Sequence, residues 1–401
     1  MPGGCHRACG GMHRDQRELQ RVWRLREYLS GWGVRAGEQR VRKMREERYD
    51  VVVVGAGPGG STAAKVAAEH GLDVLLIEKN QEIGVPVRCA EGVSKRVENF
   101  VSLPKECIAT EAAGARIFSP DGTCVELSEK TARGKLAEVG YVLERKLFDK
   151  YLARLAADSG VEVRVKTQAI SILKDGSSVK GIVVRDVSDD AKIFADVVIA
   201  ADGVESKIGR MAGLETRIKP ADLEVCAQFY MTGIDVEEDF SEFYLGNKIA
   251  PGGYAWVFPK GERSANVGVG IEASRSRDGA RALDYLKAFV HLKFPEGRVL
   301  GQVYGAVPVS GPIKSVADGI ILVGDAARQT DPLTGGGILN AMEAGKIAGE
   351  VVAEAFERKD FSESSLREYE ERCKELNEKL TRMYRARLLV SKFSDKELNR
   401  L

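Results

Sequence analysis

The sequence lacks any run of eighteen or more apolar residues, which argues against a transmembrane helix. Its longest apolar runs, such as Val51–Val54 and Val197–Ala201, are short and lead into glycine-containing turns, so they read as buried strands. Histidine is scarce: four in 401 residues, two of them in the N-terminal tail. A histidine-based metal centre or catalytic triad has little to draw on, and no metal is expected. The seven cysteines (Cys5, Cys9, Cys89, Cys107, Cys124, Cys226 and Cys373) are scattered, odd in number and free of any CxxC pair. That pattern speaks against a zinc site or a disulfide framework and for a reducing compartment.

What is present fits a soluble two-domain protein, with 44% hydrophobic and 30% charged residues. Residues 1–48 stand apart. They hold twelve Lys/Arg against six Asp/Glu, a net +6 in a chain of net +1, so the remaining residues carry −5. No secretory core is seen. The extension is expected to be disordered or a mis-assigned start, because Met44 lies five residues before the first strand. Nucleic acid is not an expected partner.

A β-α-β unit follows: the strand Tyr49–Val54, the helix Ser61–His70 closed by Gly71, and the strand Val74–Ile77. Residues 141–158 have helical spacing. Strands are expected at Val161–Val165, Ile170–Leu173, Val179–Val187 and Lys192–Ala200. Residues 222–309 change character, rich in aromatics and glycine, with strands at Val225–Met231, Ala255–Phe258 and Asn266–Ile271 that predict a second, antiparallel sheet. Gly319–Val323 returns to the α/β pattern, and residues 362–393 are charged and helical. The resulting division is a discontinuous nucleotide domain (49–100, 140–218, 305–350), a substrate domain (101–139, 219–304) and a C-terminal helical segment (351–401).

Three motifs carry chemistry. In Gly55-x-Gly57-x-x-Gly60, with Gly59 beside it, the glycines permit a tight turn, approach of a pyrophosphate, and close helix–strand packing. Glu78 ends the next strand, 23 residues after Gly55, where a carboxylate accepts hydrogen bonds from ribose hydroxyls. The second motif, Ala201-Asp202-Gly203 through Arg210, resembles the Asp-Gly motif of flavin monooxygenases and their relatives. The third, Gly324-Asp325-Ala326-Ala327 with Asp331-Pro332-Leu333-Thr334-Gly335-Gly336-Gly337-Ile338, resembles the Gly-Asp motif of the same class, whose aspartate binds the ribitol of FAD. A helix N-terminus there stabilises the charge of reduced flavin. The cofactor implied is FAD, and the fold is α/β, glutathione-reductase-like (p-hydroxybenzoate-hydroxylase-like). A two-dinucleotide disulfide reductase would carry a second glycine fingerprint and a CxxxxC, and neither is present.

Two further segments resemble the geranylgeranyl reductase family from Tyr49 to near the C-terminus. Gly84-Val85-Pro86-Val87-Arg88-Cys89-Ala90-Glu91-Gly92 is similar to its cysteine loop beside the flavin. Tyr254-Ala255-Trp256-Val257-Phe258-Pro259 with Gly268-Val269-Gly270 is similar to its substrate signature. The resemblance implies FAD contacts at Gly59, Glu78, Arg88, Cys89, Ala90, Gly92, Arg145, Ala169, Asp325, Gly337 and Ile338, beside Asp202, Gly203 and Gly336 of the flavin motifs. It implies substrate contacts at Tyr254, Trp256, Phe258, Pro259, Gly268 and Gly270.

The activity so implied is FAD-dependent saturation of geranylgeranyl chains on archaeal-type membrane glycerophospholipid precursors. Cys89 gates substrate, relays a proton, or is an inert buried cysteine, and Tyr254 is a second proton-donor candidate. The electron donor is ferredoxin, NADPH or a deazaflavin. The expected place is cytoplasmic, with peripheral contact at the inner face of the membrane; residues Ser365–Phe393 are either an interfacial helix or a docked surface helix. The competing readings are a flavin monooxygenase of the same fold acting on an aromatic or polyprenyl substrate, and a non-catalytic FAD or lipid carrier. Family members commonly continue beyond the point where this chain stops.

Overall fold

The computed structural model describes residues 44–128, 140–279 and 281–400; the extension before Met44 and residues 129–139 lie outside that description. In chain order, the elements that build the site are β1 (Arg45–Val54), α1 (Pro58–Glu69), β2 (Val74–Ile77), β3 (Gly140–Leu143), α2 (Arg145–Asp158), β4 (Asp190–Ala200), β5 (Leu223–Thr232), β6 (Tyr254–Pro259), β7 (Ser264–Glu272), β8 (Arg298–Pro308), β9 (Ile320–Leu322), α3 (Ile338–Arg358) and α4 (Lys374–Val390).

An eight-stranded sheet carries β9, β4, β1 and β2 side by side and parallel, with Val51 opposite both Val74 and Val197. Its central strands are apolar on both faces because both are covered. One face packs on α1 and α3 through Ala63, Ala64, Ala67, Ala344 and Ala348, and the C-terminal helices add Tyr369, Leu376 and Leu380 to the same core. The start of β1 differs from expectation. The strand begins at Arg45, where Arg45 pairs with Ala191, so residues 45–48 belong to the sheet and not to the extension. Their charges are matched across the edge: Arg45 with Asp186, Glu46 with Lys192, Glu47 with Arg164 and Arg48 with Asp196. Polar side chains hid this stretch from a search for apolar runs.

A seven-stranded sheet has the order β8, β5, β7, β6, then Phe240–Tyr244, Gly114–Phe118 and Cys124–Ser128. It is antiparallel except where Phe240–Tyr244 runs parallel to Gly114–Phe118. β8 pairs with β5 as far as Pro308, so this sheet continues past the boundary drawn at residues 304/305. Side chains alternate. Ala227, Phe229, Met231, Ala255, Val257, Val267 and Val269 form one buried face, closed by the helix Ala282–Lys293 through Leu286 and Phe289. Cys226, Gln228, Tyr254, Trp256 and Phe258 take the opposite face. A three-stranded sheet joins Gly92–Ser94 and Ile108–Ala112 to β3. Residues 141–158, expected as helix throughout, divide into the end of β3 and then α2.

Candidate functional site

The β1–α1 turn fixes the first wall. Gly55 has φ +104°, and a Cβ there would lie 2.4 Å from the Ala201 carbonyl oxygen. Only glycine holds that turn. Gly57 is the N-cap of α1 and offers no side-chain cap, so the first N–H groups of the helix are left free for an anion. A Cβ on Gly57 would meet no atom within 4 Å. The backbone therefore faces open space, which a pyrophosphate fits. Glu78 directly follows β2 and receives the Ala56 N–H at 3.2 Å and the Asn80 N–H at 2.9 Å. It lines a cavity of about 120 Å³ with Gly57, Arg88 and Arg145.

Gly57, Arg88 and Arg145 also line a larger cavity of about 590 Å³. Gly59, Gly60, Cys89, Ala90, Gly92 and Gly203 share its wall, as do Asp325 from the turn Gly324–Ala327 and Gly336, Gly337 and Ile338 from the start of α3. α3, like α1, begins without a side-chain cap. Asp325 sits at this end; burial raises its carboxyl pKa, opposed by a 2.5 Å hydrogen bond from Thr330 Oγ1 and by Arg145. Two uncapped helix N-termini and a carboxylate around one cavity are a donor set that suits FAD. Gly57 and Arg145 line both spaces, which matches the elongated shape of a dinucleotide.

The Arg145 guanidinium is held by Asp149, one turn on, through two 2.7 Å hydrogen bonds. Burial works against the charge, but Asp149 outweighs it and holds the pKa above the usual value. Cys89 accepts the Glu91 N–H at 3.2 Å. Burial raises the thiol pKa more than Arg145 and that N–H lower it, so the sulfur keeps its proton.

Tyr254, Trp256 and Phe258 line the large cavity from β6. The Tyr254 hydroxyl donates to the Thr334 carbonyl oxygen. Tyr254, Phe243, Ala115, Glu224 and Thr334 also line a second cavity of about 420 Å³, whose remaining wall includes Ile117, Leu245, Leu333, Val390 and Phe393. An apolar chain entering this second cavity would meet the first at Tyr254.

Five of the expected contact residues stand outside the walls of these cavities. Ala169 lies in the strand Gln168–Asp175, packed against the core of the parallel sheet, and lines none of these cavities. One oxygen of the Asp202 carboxylate accepts the Ile208 N–H of the next helix and the other is buried without a partner, while Ala201 and Gly203 form the cavity wall here. Pro259, Gly268 and Gly270 do not line the cavity either; a Cβ on Gly268 would stand 2.1 Å from Trp256 Cζ2, so this glycine makes room for the indole. Sequence reasoning missed Gln228, Glu224 and Cys226, whose place depends on strand register, and Thr330, which stands in the loop after Asp325.

Among the described residues no helix is long and apolar enough to cross a membrane, and no cluster of ligands could hold a metal ion. Residues 50–102 match an FAD binding domain, and residues 222–307 match a geranylgeranyl reductase catalytic domain. The chain is 54% identical over 357 residues to a digeranylgeranylglycerophospholipid reductase of Methanothrix thermoacetophila, covering 88% of this chain and 90% of that one. A second reductase of that name, from Methanocella arvoryzae, is 53% identical with the same coverage. The crystal structure of a geranylgeranyl bacteriochlorophyll reductase-like protein from Thermoplasma acidophilum superposes with a TM-score of 0.84 at 42% identity, covering 88% of this chain and 90% of that one. These relatives do not favour the monooxygenase alternative. With the flavin cavity, the aromatic strand and these relatives in agreement, the chain belongs to the geranylgeranyl reductase family.

Proposed function

We propose that the protein saturates the double bonds of geranylgeranyl chains carried on archaeal-type glycerophospholipid precursors. The observation that carries the reading is the shared wall of the two cavities, where Tyr254 and Phe243 separate an apolar space from the flavin site. An isolated alkene has no neighbouring carbonyl to polarise. FAD, when bound and reduced by an external donor, would supply the two electrons as a hydride.

The protein's part is to hold, to keep dry and to protonate. Phe243, Trp256 and Phe258 give the cavity an apolar aromatic side against which a prenyl chain packs and from which it excludes water. Cys89 Sγ holds the proton for the second alkene carbon, since burial keeps it a thiol. Tyr254 is the poorer donor. Its hydroxyl is committed to Thr334, and burial and Glu224 raise its pKa well above the phenol value. Such an amphiphilic substrate calls for peripheral contact with a membrane surface, and the reductant is ferredoxin, NADPH or a deazaflavin.

The test is mass spectrometry of a geranylgeranyl glycerophospholipid incubated with dithionite-reduced, FAD-loaded protein. A gain of two mass units per double bond is expected. Unchanged lipid beside fully reduced flavin would overturn the reading.

A further inference from the structure

Trp256, Gly268 and Gln228 form one row across three neighbouring strands. Trp256 on β6 is opposite Gly268 on β7, and Gly268 is opposite Gln228 on β5. Strands lie about 4.8 Å apart, so the outer two residues are separated by two spacings. The indole crosses the middle strand where Gly268 leaves no side chain, and a Cβ there would collide with it at 2.1 Å. On the far side Trp256 Nε1 donates to Gln228 Oε1 at 2.9 Å. Gln228 Nε2 then donates to the Cys89 carbonyl oxygen at 3.0 Å.

The next loop residues are held from the same sheet. Asn266 Nδ2 donates to the Ala90 carbonyl oxygen at 3.3 Å and to Glu91 Oε2 at 2.7 Å. Lys260, at the end of β6, donates to the same Glu91 oxygen at 2.8 Å. Glu91 has φ +76°, a left-handed conformation that costs a non-glycine residue energy and persists only when its surroundings enforce it. Phe258 closes the contact: a Cβ on Gly92 would lie 2.8 Å from its ring.

We propose that Gln228 and Asn266 are positioning residues that clamp the cysteine loop, and that Trp256 acts through Gln228 as well as lining the cavity. The aromatic signature and the cysteine loop, 160-odd residues apart in sequence, are then one device: the sheet that receives the substrate also sets where the Cys89 thiol stands. The relevance to catalysis rests on the function proposed above; the clamp itself does not.

The clamp is tested on FAD-loaded protein without substrate, by the iodoacetamide alkylation rate of each cysteine, resolved by peptide mass spectrometry. Gln228→Met keeps the side-chain volume and removes both hydrogen bonds. Trp256→Phe keeps an aromatic ring on the wall and removes the indole N–H together with the ring that crosses Gly268. Each is expected to speed alkylation of Cys89 about fivefold, the effect of one neutral hydrogen bond. Cys107 and Cys373, both buried elsewhere, should keep their rates. The double variant should be no faster than Gln228→Met, since both changes break one chain of contacts. Should Gln228→Met fail to fold, Trp256→Phe carries the same comparison. An unchanged Cys89 rate, additive effects, or a rise at all cysteines together would overturn the proposal. If wild-type protein reduces the lipid, kcat should fall in both variants, with KM little changed in Gln228→Met; lipid left unreduced by wild type would count against the function and leave the alkylation result standing.

Discussion

Arg387 of α4 donates to Glu224 of β5 at 2.6 Å, across 163 residues, with both side chains only 6% exposed. Arg387 also donates to the Gly252 carbonyl oxygen at 3.3 Å. Glu224 lines both cavities, and Arg387 lines the apolar one, so the pair pins the C-terminal helix to the wall of the site. Burial pushes the Glu224 carboxyl pKa up, with Arg387 pulling the other way. Of the two readings for residues 365–393, the buried Leu376, Leu380 and Arg387 favour a docked helix.

Arg387→Met should therefore cost about 3–5 kcal/mol, because it leaves a buried carboxylate unpaired. A urea melt checks this. Glu224→Gln combined with Arg387→Met should recover much of the loss. A double variant as weak as the single one would mean that the arginine matters for packing and not for charge.

Cys89 predicts a pH profile. Its thiol pKa is raised, chiefly by burial, so the proton stays on past the usual thiol value of about 8.5. Lipid reduction that draws on this proton should be level through neutral pH and fall as pH rises through the raised value. In Cys89→Ala the alkaline limb should vanish and kcat should drop by about 10²-fold, the scale of general acid catalysis. An alkaline limb that survives in Cys89→Ala would assign the proton elsewhere.

Gly55 and Gly57 should separate folding from binding. Gly55→Ala puts a Cβ against the Ala201 carbonyl oxygen at positive φ, so the apo protein should lose stability. Gly57→Ala places its methyl in open space and should keep the apo melting temperature while releasing FAD. Flavin absorbance after gel filtration, beside a thermal melt, reads both. Equal loss of stability in the two variants would contradict this geometry.

Tyr254→Phe removes the hydrogen bond to Thr334 and keeps the ring between the cavities. With Cys89 as proton source, kcat should fall less than about tenfold, well short of losing a general acid. Single-turnover reduction of the lipid measures it. A loss near that of Cys89→Ala would make the tyrosine the donor.

Much of the fold was legible because its signals are local. A run such as Val51–Val54 can only be a buried parallel strand when glycine punctuates its end, and Gly55, Gly57, Gly60 and Glu78 sit at fixed short distances along the chain. Period-two alternation in a strand likewise puts Tyr254, Trp256 and Phe258 on one face. Tertiary structure alone decided the rest. Gln228, Asn266 and Glu224 carry no local signature, and their roles arise from register between strands far apart in sequence. Asp202 and Gly268 sat in recognisable motifs, yet their tasks, capping a helix and making way for an indole, depend on which atoms approach them in space. Local chemistry writes the turns and periods; hydrogen-bond partners are chosen only when the sheets close on one another.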